Sequence, residues 1–225
     1  MISVIFDLDG TLVDSEPNYY ESGRRTLERH GVPEFTWEQH SRFIGIGTLE
    51  TLEILKERYG IRAPVEQLLA EQNAAYLELA RTGTEVFPQM RKFVERLYAE
   101  RVPMAVASGS SREAIDAVLA GTGLDAVLTT AVSAEEVEHG KPAPDVFLEA
   151  ARRLGARPAD CVVVEDAAPG ALAARAAGMD CVAVPYVAAT ADDPAFAGAG
   201  LLFPAGQCGF SADAAYDWLL ARREG

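Results

Sequence analysis

The stretch Met1–Asp14, MISVIFDLDGTLVD, decides the fold. Met1–Phe6 is a short, mostly apolar run rich in β-branched residues that stops at Asp7, which predicts a buried strand. Side chains alternate along a strand, so Asp7 and Asp9 project to the same side at its C-terminal end. In open α/β sheets that edge is where ligands bind. Two carboxylates so close together repel, which raises one pKa unless a cation intervenes, and a divalent metal removes the conflict. Gly10 permits a tight backbone turn directly after the pair. Alone, Asp-x-Asp also reads as a polar strand end leading into a loop. Its place in DxDGT, directly behind an apolar first strand, favours a site.

Working outward, similar apolar runs recur at Met104–Ala107, Cys161–Val164 and Cys181–Val184, with a weaker one at Ala126–Thr129. Helical segments separate them. Pro88–Glu100 places Met90, Phe93, Val94, Leu97 and Tyr98 on one face. Ser111 is an N-cap candidate for a helix through Ala120. Pro144 suits the first turn of a helix through Leu154, with Gly155 as its stop, and a helix over Gly170–Ala177 ends at Gly178. This alternation predicts an α/β fold with a doubly wound, Rossmann-like parallel sheet covered on both faces. One stretch breaks the rhythm. From Glu16 to about Arg81 the helical patterns near 16–30, 36–44, 48–59 and 64–81 follow one another with no strand, punctuated by Gly31, Pro33, Gly45, Gly47, Gly60 and Pro64. Residues 16–84 therefore read as a small α-helical domain inserted into a discontinuous core, 1–15 plus 85–225. The two crossings, near Asp14–Pro17 and Thr82–Pro88, make a hinge.

The 225 residues carry 20 Lys+Arg against 34 Asp+Glu, a net charge of −14. That balance argues against nucleic-acid and membrane-surface partners, both of which need clustered cations. An anionic substrate would need a local cation to hold it. With 49% hydrophobic residues the chain supports a real core. Cys161, Cys181 and Cys208 are scattered without metal-ligand spacing and read as buried, reduced thiols. The N-terminus carries Asp7 and Asp9 where a secretion signal needs an apolar run, so a cytoplasmic protein is expected. The longest uncharged stretch, Pro194–Ala212, is broken by prolines and glycines and does not read as a membrane span.

Three further segments carry chemistry. Glu165-Asp166 follows the run CVVV, so a second acidic pair stands at the end of a second buried strand. It reads either as a solvated loop pair or as carboxylates completing an oxygen-rich Mg²⁺ site with Asp7. Ser108-Gly109-Ser110-Ser111 follows MAVA. Alone it is more readily an ordinary N-cap loop, although hydroxyls and free N–H groups there also form an anion cradle. In Gly140-Lys141-Pro142-Ala143-Pro144-Asp145 two prolines stiffen a loop presenting one lysine. That lysine is either a surface residue or the cation that neutralises a phosphate and the clustered carboxylates. Asp145 caps or braces the loop.

In this order the motifs DxDGTLVDSE, SGSS, GKPAPD and VVVEDAAPG resemble those of the haloacid dehalogenase superfamily, over essentially the whole chain. The helical insertion is similar to the small cap of its β-phosphoglucomutase and phosphoglycolate-phosphatase branch. The resemblance implies catalysis by Asp7, Asp9, Ser108 and Lys141. Asp7 matches the nucleophile that becomes an aspartyl-phosphate. Asp9 matches the general acid/base. Ser108, helped by the backbone of Gly109, and Lys141 match the groups that hold the transferring phosphoryl. Asp7, the carbonyl of Asp9, Glu165 and Asp166 match the Mg²⁺ shell. Similar dehalogenases lack an acid at the Asp9 position, and a phosphonate hydrolase wants a Schiff-base lysine early in the cap, whose sole lysine is Lys56.

The expectation is thus a Mg²⁺-dependent phosphatase acting on a small phosphorylated metabolite, a sugar phosphate or a phosphoglycolate-like acid. A phosphosugar mutase and a non-catalytic binding protein on the same scaffold are the alternatives. Against the mutase, the position twelve residues after Asp7, a histidine in similar mutases, is Tyr19, and Gln72 stands loosely where they carry a basic residue. Arg42, in Arg42–Gly47, resembles a cap-loop residue that meets a second anionic group or a sugar hydroxyl, or it is a surface arginine. Glu16 either accepts a sugar hydroxyl or simply favours a helix's first turn. His30, His40 and His139, each in a polar helical or loop context without partners, do not read as ligands, Trp37 and Trp218 read as packing residues, and the chain as a monomer or weak homodimer.

Overall fold

The computed structural model describes residues 2–44 and 46–224, with side chains as far as Arg222. Met1 of the expected first strand and Gly45 of the expected cap loop therefore lie outside the described residues. Strand β1 (Ser3–Phe6) runs into Asp7, and the short β2 (Val13–Asp14) precedes four helices, α1 (Glu16–Arg29), α2 (Trp37–His40), α3 (Thr48–Tyr59) and α4 (Val65–Gly83). The short β3 (Glu85–Val86) then leads into α5 (Pro88–Ala99), β4 (Met104–Ser108), α6 (Arg112–Thr122), β5 (Ala131–Ser133) and α7 (Asp145–Leu154). The chain continues through β6 (Cys161–Glu165), α8 (Ala168–Ala176), β7 (Asp180–Ala183), β8 (Leu201–Leu202) and α9 (Ala212–Glu224). Two compact units result: Met1–Asp14 with Glu85–Gly225, and Ser15–Thr84.

The first unit holds a six-stranded sheet in the order β5-β4-β1-β6-β7-β8. Every neighbouring pair is parallel, as the alternating sequence predicts. The chain moves from β1 outward through β4 to β5, then returns to the other side of β1 to lay down β6, β7 and β8. This reversal makes the C-terminal end of β1 the natural crevice of the sheet. The strand sequences are apolar on both faces because both faces are covered. On one face Ile5, Ala105, Ala107 and Val163 pack with Phe147 and Ala150 of α7 and with Ala171 and Ala174 of α8. The alanines let those helices approach closely. Phe6 meets Phe93 of α5 edge to face, centroids 6.0 Å apart, and Phe93 meets Phe210 at 5.9 Å.

Ala126–Thr129 is not a strand. Gly123 ends α6 in the left-handed conformation (φ 70°), Leu124–Ala126 form a 3-10 turn around buried Leu124, and pairing begins only at Ala131. The true fifth strand is small and polar at its end (AVS), so its apolar signal is weak. Within the uncharged stretch after Pro194, Leu201–Leu202 forms the edge strand β8 between glycine-rich turns, too short to show a period. Cys161 and Cys181 are buried free thiols, whereas Cys208 is exposed, contrary to expectation. Trp37 is 43% exposed and touches Tyr20 edge-on, so it packs only partly. No helix among the described residues is long and apolar enough to cross a membrane.

The helical unit has its own core of Leu27, Phe35, Leu52, Leu55, Ile61 and Leu68. Tyr19 of α1 stacks on Tyr76 of α4, centroids 4.3 Å apart. In the α/β unit β2 and β3 pair antiparallel, Val13 opposite Val86 and Asp14 opposite Glu85. The residue by which the chain leaves this unit and the residue by which it re-enters are therefore cross-strand partners.

Phe93 is fully buried and contacts two other aromatic rings. Phe93→Ala is expected to cost the α/β unit about 3–5 kcal/mol, read as a lower urea midpoint.

Candidate active site

Asp7 leaves β1 with its ladder continued: its N–H donates to the carbonyl of Val164 at 2.9 Å, and the residue is only 6% exposed. The chain then turns sharply. Gly10 has φ +78°, and a Cβ there would stand 2.5 Å from Oδ2 of Asp166, so the turn requires glycine twice over. Thr11 Oγ1 donates to Oδ1 of Asp166 at 2.9 Å. Gln207 Nε2 donates to the carbonyls of Gly10 and Thr11 at 3.1 and 3.0 Å and holds the turn from the far end of the chain.

Glu165, the last residue of β6, is 2% exposed. Its Oε1 accepts from the N–H of Ala167 at 3.2 Å. A Cβ on Gly170 would fall 2.0 Å from its carboxyl carbon, so Gly170 at the start of α8 makes room for the carboxylate. Lys141 reaches in from the loop before α7. Its Nζ donates to Oδ1 of Asp7 at 2.5 Å and to Oε2 of Glu165 at 2.9 Å, and it lies 4.8 Å from the centre of the Phe147 ring. Asp145 braces that loop by accepting from the N–H of His139 at 3.2 Å. At the end of β4, Ser108 Oγ and Ser110 Oγ donate to Oδ2 of Asp9 at 3.3 and 2.6 Å. Ser111 caps α6 by accepting from the N–H of Ala114. Gly109 between them is exposed.

Burial, the neighbouring Glu165 and, to a smaller degree, Asp9 push the Asp7 carboxyl up to about 7, against the opposing pull of Lys141. Burial, Glu165 and Asp7 likewise raise Asp166 well above the usual carboxylate range. Burial works against the Lys141 ammonium, but Asp7 and Glu165 outweigh it and hold its pKa above the ordinary lysine value. Lys141 is thus a permanent cation. Carboxylate oxygens of Asp7, Glu165 and Asp166 lie within 4.8 Å of one another. Two buried acids, Asp7 and Glu165, and the half-buried Asp166 thus crowd around one lysine, and an all-oxygen donor set of this kind fits a hard divalent cation.

Asp7, Asp9, Ser108, Lys141, Glu165 and Asp166 therefore stand together at one edge of one sheet, joined by the contacts above. Glu16 and Arg42 belong to the helical unit. Glu16 pairs with His40 at 2.9 Å, and Arg42 is exposed and pairs with Glu38. The three histidines are not partnerless: besides His40, His30 pairs with Glu71 and His139 with Asp145. Those acids come from other turns or helices, which spacing does not reveal. Thr11, Ser110, Gly170 and Gln207 were not picked out from the sequence. Thr11 and Gly170 lie inside the DxDGT and EDAAPG motifs, and Ser110 lies inside SGSS. Gln207 carries no local signal.

Asp7 binds its proton more tightly in the fold than its ordinary value of 3.8 allows in the unfolded chain. Its contribution to stability is complete below that value and is lost as pH rises through about 7. In EDTA, denaturation midpoints should therefore fall across this window, and Asp7→Asn should flatten the fall and raise the midpoint at the alkaline end.

Residues 4–184 match the family model for haloacid dehalogenase-like hydrolases. The chain is similar to the fructose-1-phosphate phosphatase YqaB of Escherichia coli (strain K12), 36% identical over 181 residues, which cover 80% of this chain and 95% of that protein. It is also similar to the phosphorylated carbohydrates phosphatase of Thermotoga maritima, 34% identical over 185 residues, covering 80% of this chain and 83% of that one. The crystal structure of a β-phosphoglucomutase from Clostridium difficile shares the fold, with a TM-score of 0.76 over 100% of both chains at 22% identity. Because the family match runs from β1 through the end of β7 and takes in every acid, serine and lysine of the sheet edge, the chain belongs to the haloacid dehalogenase-like hydrolases.

Proposed function

We propose that the chain is a Mg²⁺-dependent phosphatase that hydrolyses a small phosphorylated metabolite through an aspartyl-phosphate on Asp7. The observation that carries this is the Lys141 ammonium bridging Asp7 and Glu165, with the carboxylate of Asp9 held beside them by two serines. Phosphoryl transfer needs in-line placement and charge neutralisation above all. Asp7, Glu165, Asp166 and the carbonyl of Asp9 would hold Mg²⁺, which supplies positive charge beside the transferring phosphoryl. A carboxylate oxygen of Asp7 attacks phosphorus as the bond to the leaving oxygen breaks, and Asp9 gives that oxygen a proton. Water then attacks the same phosphorus, Asp9 takes its proton, and the bond to Asp7 breaks. Lys141, the Ser108 hydroxyl and the Gly109 N–H stabilise the phosphoryl charge.

A sugar phosphate or a phosphoglycolate-like acid is the substrate class. The relatives named for fructose 1-phosphate and phosphorylated carbohydrates support the former. Tyr19 engaged with Tyr76 where similar mutases carry histidine supports hydrolysis over phosphate transfer between sugar positions.

Phosphate release from a panel of phosphorylated metabolites, with Mg²⁺ and with EDTA, tests this. Turnover should require the metal and fall to background in Asp7→Asn. Activity that survives in that variant overturns the mechanism. Conversion of glucose 1-phosphate to glucose 6-phosphate with a bisphosphate primer, in place of phosphate release, would identify a mutase. Lys141→Met should lower kcat by about a hundred- to a thousandfold, the usual loss when a charge-stabilising donor is removed.

A further inference from the structure

We propose that Ser110 is a positioning residue for the proton transfer by Asp9, distinct from Ser108, which serves the phosphoryl group. This rests on the assignment of Asp9 as general acid/base above. The two serines hold the same oxygen of Asp9 unequally. Ser110 Oγ lies 2.6 Å from Oδ2, in the range of charge-assisted bonds from a hydroxyl to a carboxylate, whereas Ser108 Oγ lies at 3.3 Å, longer than an ordinary hydroxyl bond. When the Ser108 hydroxyl turns to a phosphoryl oxygen, Ser110 is the serine that stays on Asp9.

Ser110 is itself fixed by its surroundings. Its N–H donates to Ser108 Oγ at 3.0 Å, and its carbonyl accepts from Ser133 Oγ at 2.7 Å. Ser133 is fully buried at the end of β5, and its Oγ also accepts from the N–H of Glu135 at 3.1 Å. A hydroxyl so anchored from two strand ends sets the plane of the Asp9 carboxyl. Asp9 is only half-buried and sits on a loop, where that plane would otherwise turn. A general acid works only when its proton is aimed at the leaving oxygen. Once the proton has gone to the leaving oxygen, the Ser110 hydroxyl stabilises the carboxylate that remains.

The leaving group provides the test. An alkyl alkoxide needs the proton as the bond to phosphorus breaks, whereas p-nitrophenolate departs without it. Wild type, Ser110→Ala and Ser110→Thr are compared by kcat/KM on an alkyl phosphate (glycerol phosphate or a hexose phosphate, whichever the wild type turns over) and on p-nitrophenyl phosphate. This parameter reports the first phosphoryl transfer and not the hydrolysis step that both esters share. In Ser110→Ala the alkyl-to-aryl ratio should fall about tenfold or more, a fraction of the full worth of a general acid. Ser110→Thr, which keeps the hydroxyl, should restore it. Parallel losses on both esters, or a Thr variant as impaired in this ratio as the Ala variant, overturn the proposal and leave the phosphatase standing. Absence of metal-dependent turnover of either ester by the wild type overturns both.

Discussion

A single ammonium group among three crowded carboxyl groups, two of them buried, organises the candidate site of this protein. Asp7, Glu165 and Asp166 come from the ends of two adjacent parallel strands, and without a cation they would repel one another in a poorly solvated place. Lys141 bonds to two of them directly. Its ammonium also lies over the ring of Phe147, a core residue of α7, so the charge is coupled to the packing of α7 against the sheet. The backbone is shaped around this charge. Gly10 and Gly170 stand where any side chain would strike Asp166 or Glu165. The carboxyls that Lys141 does not satisfy make the edge receptive to a second cation, which would also favour an anion beside it.

The sheet edge also separates its tasks by strand. The ends of β1 and β6 carry the acids, while β4 and β5 end in serines that donate hydrogen bonds. The hydroxyls of Ser108 and Ser110 therefore meet an acid across the β1–β4 boundary, at Asp9. The sheet supplies the registration between them.

Much of this was legible in the sequence because the decisive residues lie directly behind apolar runs. The strand that ends at Phe6 announces Asp7, and the apolar run CVVV announces Glu165 and Asp166. A parallel sheet then brings such ends together with little further information. What stayed hidden has a common physical cause, which is long-range pairing. Ser110 reads as one more polar residue of a capping loop until the fold sets it beside Asp9. Gln207 reaches the Gly10 turn from nearly two hundred residues away in sequence, and the histidines find their acids across helices or loops. β5 and β8 were misplaced or missed because strands this short owe their existence to a neighbour's unpaired edge more than to their own side chains.

The pairing of Asp14 with Glu85 bears on how such a chain arises and folds. Seventy residues, Ser15 to Thr84, depart and return through two neighbouring positions of one small ribbon. To the α/β unit the whole insertion is topologically a hairpin loop whose ends are already pinned. Closing a loop costs entropy that grows only with the logarithm of its length, so a long excursion there burdens the host little more than a short one. The insertion site is in this sense a socket. A change in the length of the insertion would leave the paired entry and exit, and with them the register of the sheet, in place.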